Sequence, residues 1–314
     1  MSLPAQFDGL EKAVLPPRPL HLAIGIFDGV HLGHRAVIES AVQSARRSGG
    51  VSAVLTFDPH PSAVLRPAQA TKLLMSRAAK ARVLGELGVE IVITQPFDET
   101  FAALAAEDFL IWLRRYAPRL AGIYVGENWR FGRGRAGDVA MLVAEGRRHG
   151  VHVFSAPRVN LDGEAISSSR IRMLLEAGQV AAANSLLGYA YVSEGRVAPG
   201  KKLGRTIGFP TLNLDWTLAF RPRLGVYVVR IGGGKTPTAL RGVANFGLRP
   251  TVEKTTEPRL EVHALDECPY DAGDEIVVEW LEFLRPEMKF GGLGTLRAQI
   301  AADREAAIAY FRSS

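Results

Sequence analysis

Near Leu187-Gly188 the hydrophobic pattern of the chain changes its period, and this limits the fold more than any other feature. Before that point, short apolar runs alternate with stretches of helical spacing. LAIGIF (22–27), SAVLTF (52–57), VEIVIT (89–94), GIYVG (122–126) and VHVFSA (151–156) read as strands. Val37, Ile38, Ala41, Val42 and Ala45 mark one face of a helix from about Gly33. Further helices are expected near 76–87 and 106–117, from about Gly137, and twice more after Ile166. Repeated βα units of this length imply a doubly wound α/β parallel sheet, which takes its ligands at the carboxyl ends of the strands. After the change, YVSEGRV, PTLNL, GVYVVRI, LRGVANF, LEVHAL and EIVVEWLEFL follow one another with no helical pattern between them. Such a run belongs to an antiparallel barrel or sandwich. A final helix is expected from Leu293, with Leu296, Ile300, Ala307 and Phe311 on one face. The expected domains are residues 1–186 and 187–314.

Composition removes several classes of function. With 314 residues, 47% hydrophobic and 22% charged, the chain can bury sizeable cores. No apolar run reaches the roughly 18 residues of a membrane helix. The first residues carry acids and prolines where a secretory signal would place a basic stretch and an apolar run, so the expectation is a cytoplasmic protein that uses no membrane. One cysteine, Cys268, excludes an intrachain disulfide framework and a Cys-rich zinc site. The net charge of +6 would suit a polyanion, but the surplus is spread over both halves without a basic tail. Much of it is arginine in the short segments RFGRGR and SRIR, a pattern for a few phosphates and not for nucleic acid.

The decapeptide GIFDGVHLGH (25–34) places His31 and His34 three apart at a strand-to-helix turn, with Gly33 between them. Side chains at that spacing share a helical face, and a helix N-terminus favours an anion. Two imidazoles there can donate to charge growing on a phosphate oxygen. A metal reading is weaker, because Asp28 is the only close carboxylate and no third His or Cys lies near. ISSSRIR (166–172) joins serine caps to Arg170 and Arg172, a donor set for a triphosphate. GENWRFGRGRAGD (126–138) is an arginine-, glycine- and aromatic-bearing loop, and TFDPHP (56–61) closes the second strand.

In the second half, PGKKLGRTIGFPTLNL (199–214) reads as a glycine-bearing flap entering a strand, without Walker order. Thr211 and Asn213, two apart, point to one face and offer hard oxygen donors suited to Mg²⁺. In LEVHAL (260–265), Leu260, Val262 and Ala264 form the apolar face and leave Glu261 and His263 on the other. A carboxylate there can take the proton of an attacking hydroxyl.

GIFDGVHLGH, TFDPHP, GENWRFGRGRAGD and ISSSRIR, in this order, closely resemble the adenylyltransferase module of the prokaryotic bifunctional riboflavin kinase/FMN adenylyltransferases, members of the HxGH nucleotidyltransferases. GFPTLN, GVY (225–227), GVANFGLRPT (242–251), LEVH and LRPEMKF (284–290) resemble the riboflavin kinase module of the same family. The resemblance covers about Leu20 to Phe311 and implies a barrel for the second half. It implies that riboflavin is phosphorylated by ATP to FMN and ADP, and that FMN is then adenylylated to FAD with release of pyrophosphate. In the first module it implies catalytic His31 and His34, ATP contacts from Gly25, Phe27, Asp28, Gly33, Ser168, Ser169, Arg170 and Arg172, and FMN contacts from Asp58, His60, Asn128, Arg130 and Phe131. In the second it implies ATP contacts from Gly200, Lys201, Gly204, Thr206 and Pro210, Mg²⁺ on Thr211 and Asn213, Glu261 as general base, and flavin contacts from Asn245 and Arg249. Ile26, Asn128 and Trp129 depart from the family's common Asn, Asp and Phe, and Leu212 and Leu248 from its common Ala and Thr.

Overall fold

The computed structural model describes residues 3–199, 209–216, 220–248 and 258–313. They divide into two compact units, Met1–Ser168 and Ser169–Ser314.

The first unit holds a six-stranded parallel sheet: β1 (Ala5–Asp8), β2 (Leu20–Ile24), β3 (Val51–Asp58), β4 (Ile91–Pro96), β5 (Leu120–Gly126) and β6 (His152–Ala156), in spatial order β1-β4-β3-β2-β5-β6. From β2 the chain runs outward through β3 and β4 on one side, then returns to build β5 and β6 on the other. The topological switch point therefore lies between β2 and β5. Helices α1 (Leu32–Ser48), α2 (Pro61–Leu65), α3 (Arg77–Glu86), α4 (Glu99–Ala102), α5 (Ala106–Tyr116) and α6 (Val139–His149) make the connections. Leu22, Ile24, Leu55 and Ile93 are buried on one face and Ala23, Val54 and Val92 on the other, so the central strands are apolar on both faces as parallel strands are.

Two local features depart from the sequence expectation. β1 (AQFD) has no β-branched residue, yet it pairs with β4 from Ala5↔Ile91 to Asp8↔Thr94; the neighbouring edge supplies the ladder that its own composition does not favour. β2 ends at Ile24, not at Phe27. The chain leaves the ladder because Phe27 and Val30 take left-handed backbone angles, φ 50° and φ 34°. A short hairpin, β7 (Asn160–Leu161) and β8 (Glu164–Ala165), follows β6.

The second unit is a closed barrel of β9 (Tyr191–Ala198), β10 (Leu212–Asp215), β11 (Gly225–Gly233), β12 (Leu240–Gly247), β13 (Arg259–Ala264) and β14 (Glu275–Arg285), antiparallel throughout in the order β10-β13-β12-β11-β14-β9. Closure leaves no sheet edge and decides between the barrel and sandwich readings. Trp280, Tyr227, Phe220 and Phe246 fill its interior. The Trp280 indole donates to Ser193 Oγ at 2.9 Å, which satisfies its one buried donor.

Helices α7 (Ser168–Glu176) and α8 (Val180–Leu187) have helical spacing like the first half, yet the compact division falls inside α7. The reason is what they bury against. Asn184 Nδ2 donates to the Trp280 carbonyl at 2.8 Å, its Oδ1 accepts from Tyr191 N at 2.7 Å, and Arg223 N donates to Leu175 O at 3.0 Å. The last helix, α9 (Leu293–Ser313), is tied to β14 by a half-buried bidentate pair, Arg285 Nε and Nη2 to Asp303 at 2.8 and 2.7 Å.

Candidate active sites

At the switch point of the first unit, a cavity of about 280 Å³ opens where β2, β5 and β6 end. Gly25, Ile26, Phe27, His31, Gly33 and His34 form one wall, Gly126, Asn128 and Trp129 a second, and Pro157, Arg158, Val159 and Ile166 a third. His31 is the N-cap of α1, and its Nδ1 accepts from His34 N at 3.2 Å. An Nδ1 used as acceptor puts the proton of the neutral ring on Nε2, so His31 presents an N–H donor. The His31 and His34 rings stack with centroids 3.6 Å apart, and Phe27 closes edge-on against His34 at 5.3 Å. A side chain at position 33 would place Cβ 3.2 Å from the His31 ring, so glycine keeps that ring where it is.

Burial pushes the His31 imidazole down to about 4, and burial followed by the His31 and Lys80 charges holds His34 well below its usual value. Both rings are neutral at pH 7 and act as hydrogen-bond donors before any anion arrives. His34 Nδ1 is buried with no hydrogen-bond partner among the described residues. The arrangement joins a helix N-terminus, two neutral imidazoles and mostly apolar walls. It can hold a phosphate at one end and a planar apolar ring along the other.

The turn that carries the histidines is fixed from behind. The Asp28 carboxylate is buried and accepts from Leu74 N at 3.0 Å, while Gly29 N donates to Met75 Sδ at 3.2 Å. Ser168 Oγ donates to the Asp28 carbonyl at 2.8 Å. Lys80 Nζ donates to the Ile26 carbonyl at 2.7 Å and to Thr56 Oγ1 at 3.2 Å, and Thr56 Oγ1 donates to the same carbonyl. Sequence reasoning missed Leu74, Met75 and Lys80, because no local motif marks them, and in TFDPHP it singled out Asp58 and His60 but not Thr56. It also missed Pro157, Arg158 and Val159, which the strand-end rule could have found from their place just after β6.

Of the expected flavin contacts in this unit, Asn128 lines the cavity and donates to the Glu127 carboxylate at 3.3 Å. Arg130 lies outward, 3.5 Å from Asp138. Phe131 is buried behind the wall and stacks on Trp129 at 4.6 Å. The loop is closed by the backbone pair Phe131 and Gly137, and Gly132, at φ 73°, passes so close to Ala106 that a Cβ would lie 2.6 Å from its Cα. Asp58 is exposed at the end of β3, and His60 caps α2 through Nδ1, accepting from Ser62 N at 3.1 Å. Ser169, Arg170 and Arg172 follow Ser168 along α7 and belong to the second compact unit.

In the barrel the register does the assembling. Glu261 on β13 lies directly opposite Asn213 on β10 and directly opposite Asn245 on β12. Residues opposed in an antiparallel ladder share a face, so the three polar side chains form one row across three strands. Leu260 and Val262, flanking Glu261, are buried on the other face. Pro210 and Thr211 precede β10, and the Pro210 carbonyl accepts from His263 Nδ1 at 2.8 Å, which ties the PTLN segment to β13. The hydroxyl of Thr211 and the amide oxygen of Asn213 are hard donors beside a carboxylate, a set that fits a magnesium ion held mainly by phosphate and water. Gly200, Lys201, Gly204, Thr206 and Arg249 lie outside the described residues.

Comparison with known proteins gives a consistent pattern. The family model described as FAD synthetase matches residues 16–170, and the one described as riboflavin kinase matches residues 187–311. The bifunctional riboflavin kinase/FMN adenylyltransferase of Escherichia coli (strain K12) is 39% identical over 291 residues, 92% of either chain. The protein of that name from Bacillus subtilis (strain 168) is 36% identical over 297 residues, again 92% of either chain. A crystal structure described as a macrolide-efflux protein from Streptococcus pneumoniae superposes with a TM-score of 0.85 at 28% identity, covering 98% of this chain and 99% of the other. Among the described residues no helix is long and apolar enough to cross a membrane.

Proposed function

We propose, for a chain that belongs to the bifunctional riboflavin kinase/FMN adenylyltransferase family, that its two activities are divided in chain order between residues 1–186 and 187–314. The chain makes flavin cofactors: ATP phosphorylates riboflavin to FMN, and FMN is adenylylated to FAD with release of pyrophosphate. The observation that carries the assignment of the second step is the position of His31 and His34 at the N-terminus of α1, on the wall of the switch-point cavity.

In the adenylyltransferase step, an FMN phosphate oxygen attacks the α-phosphorus of ATP and the bond to pyrophosphate breaks, with no covalent enzyme intermediate. The His31 Nε2–H, His34 and the free N–H groups of α1 stabilise charge that grows on the phosphate oxygens. Gly25, Phe27 and Gly33 shape the ATP side, with Asp28 buttressing the turn. Ser168, Ser169, Arg170 and Arg172 supply further phosphate donors. Asn128 and the Trp129–Phe131 stack lie on the flavin side, with Arg130, Asp58 and His60 at its margins.

In the kinase step, Glu261 takes the proton of the riboflavin 5′-hydroxyl, whose oxygen attacks the γ-phosphorus of ATP as ADP leaves. Thr211 and Asn213 would hold Mg²⁺, which when bound neutralises phosphate charge. Pro210 and the segment with Gly200, Lys201, Gly204 and Thr206 contact ATP, while Asn245 and Arg249 contact the flavin. We place the enzyme in the cytoplasm, where ATP and free flavin are both at hand.

Incubation with riboflavin, ATP and Mg²⁺, followed by chromatography of the products, tests this reading. FMN should accumulate first and FAD afterwards, and supplied FMN should yield FAD and pyrophosphate. Unchanged riboflavin, or FMN that never proceeds to FAD, would overturn it.

A further inference from the structure

The turn from Gly25 to Val30 is held in a conformation its residues do not favour. Phe27 and Val30, one bulky and one β-branched, lie in the left-handed region, which such side chains rarely adopt. Such a turn persists only where its surroundings over-determine it. Among the described residues, a charged group that supports the turn directly and that the reaction does not use is Lys80, the fourth residue of α3. Its side chain is buried, and its ammonium donates to the Ile26 carbonyl at 2.7 Å and to Thr56 Oγ1 at 3.2 Å.

We infer that Lys80 is a positioning residue for adenylyl transfer: its ammonium, held on the Ile26 carbonyl and Thr56 Oγ1, clamps from beneath the strained turn that carries His31 and His34. The inference rests on the reading of the first site given above. A buried ammonium is costly unless it is paired and hydrogen-bonded, and a single carbonyl and a hydroxyl are modest compensation. The charges that face it are Asp28 from the turn, Asp58 from the end of β3 and Arg77 from its own helix. Burial pushes the ammonium down to about 8, with Asp28 and Asp58 acting in the opposite direction, so it is still charged at neutral pH. Removing the ammonium leaves the Ile26 carbonyl to Thr56 Oγ1 alone, and the strained turn ahead of α1 loses its charged support.

The clamp can be tested in the full chain. Lys80→Met removes donor and charge; Lys80→Gln keeps an N–H donor and removes the charge. For Lys80→Met, kcat for FAD formation from FMN should fall about 10- to 100-fold with the KM for ATP little changed, as misplacement of a reacting group does. Lys80→Gln should recover most of the kcat. Riboflavin phosphorylation, measured in the same preparations, should stay at the wild-type rate. Should Lys80→Met fail to fold, Thr56→Val decides: it removes the other donor to the Ile26 carbonyl and should lower kcat for FAD formation with the KM for ATP little changed, and a wild-type kcat there would overturn the inference. A wild-type kcat in Lys80→Met would overturn the inference, and so would a Lys80→Gln variant no more active than Lys80→Met. His31→Ala run alongside keeps the two readings apart: if it leaves FAD formation intact, the site assignment itself is wrong, whatever Lys80 does.

Discussion

The two candidate sites are assembled in opposite ways. In the first unit the central residues are nearly contiguous, Gly25 to His34, and the difficulty lies in holding them: the turn is strained and is supported from Leu74, Met75, Lys80 and Ser168. In the barrel the residues come from distant segments, Asn213, Asn245 and Glu261, but each sits on an ordinary strand and regular register aligns them. A site made on a turn depends on the contacts behind it. A site made on a closed ladder depends on the ladder, and its chemistry can change with little effect on the scaffold.

That contrast can be broken or sharpened by experiment. The largest effect is expected for Glu261→Gln, which keeps size and register but removes the base. Riboflavin phosphorylation should fall about 10²- to 10⁴-fold while FAD synthesis from supplied FMN persists, as a coupled product assay would record. His31→Ala should do the reverse, lowering FAD formation about 10²- to 10³-fold while FMN accumulates. Equal loss of both products in a well-folded variant would erase the distinction between the sites. Next in size, Trp280→Ala empties the middle of the barrel and strands the Ser193 hydroxyl, so denaturant unfolding should show a loss of about 3–5 kcal/mol. FAD synthesis from FMN should survive under conditions where kinase activity is lost.

The smallest effect concerns acid. The folded His31 titrates near 4 and an exposed histidine near 6.5, so the unfolded chain binds more protons between these values. Stability contributed by the neutral ring is therefore complete above about pH 6.5 and is lost as pH falls toward 4, by on the order of 3 kcal/mol. Thermal unfolding of wild type and His31→Asn across this window should show the wild type falling more steeply. Parallel curves would mean that the ring is not buried neutral.

Much of this was legible in the sequence. The βα alternation, the six later strands, the final helix and the paired histidines all rest on local periods. The strand AQFD was not legible, because its pairing with β4 is a property of the neighbouring edge. Nor was the early end of β2, which follows from left-handed angles at Phe27 and Val30 that those residue types do not advertise. Helices α7 and α8 carried the right period but not the information that they bury against barrel strands. Lys80, Leu74 and Met75 carried no signal at all, since nothing near them in sequence belongs to the site.

The sequence by itself therefore determined element types, the place where one grammar gives way to another, and the residues with chemistry to offer. Side-chain spacing along a helix or strand is fixed by local backbone geometry, so period 3.6 and period 2 can be read directly. The tertiary structure alone decided that Glu261 falls between Asn213 and Asn245, and that contacts 46, 54 and 140 residues apart hold the Asp28 turn. Those outcomes belong to register and to burial around a shared core, which depend on the whole chain at once.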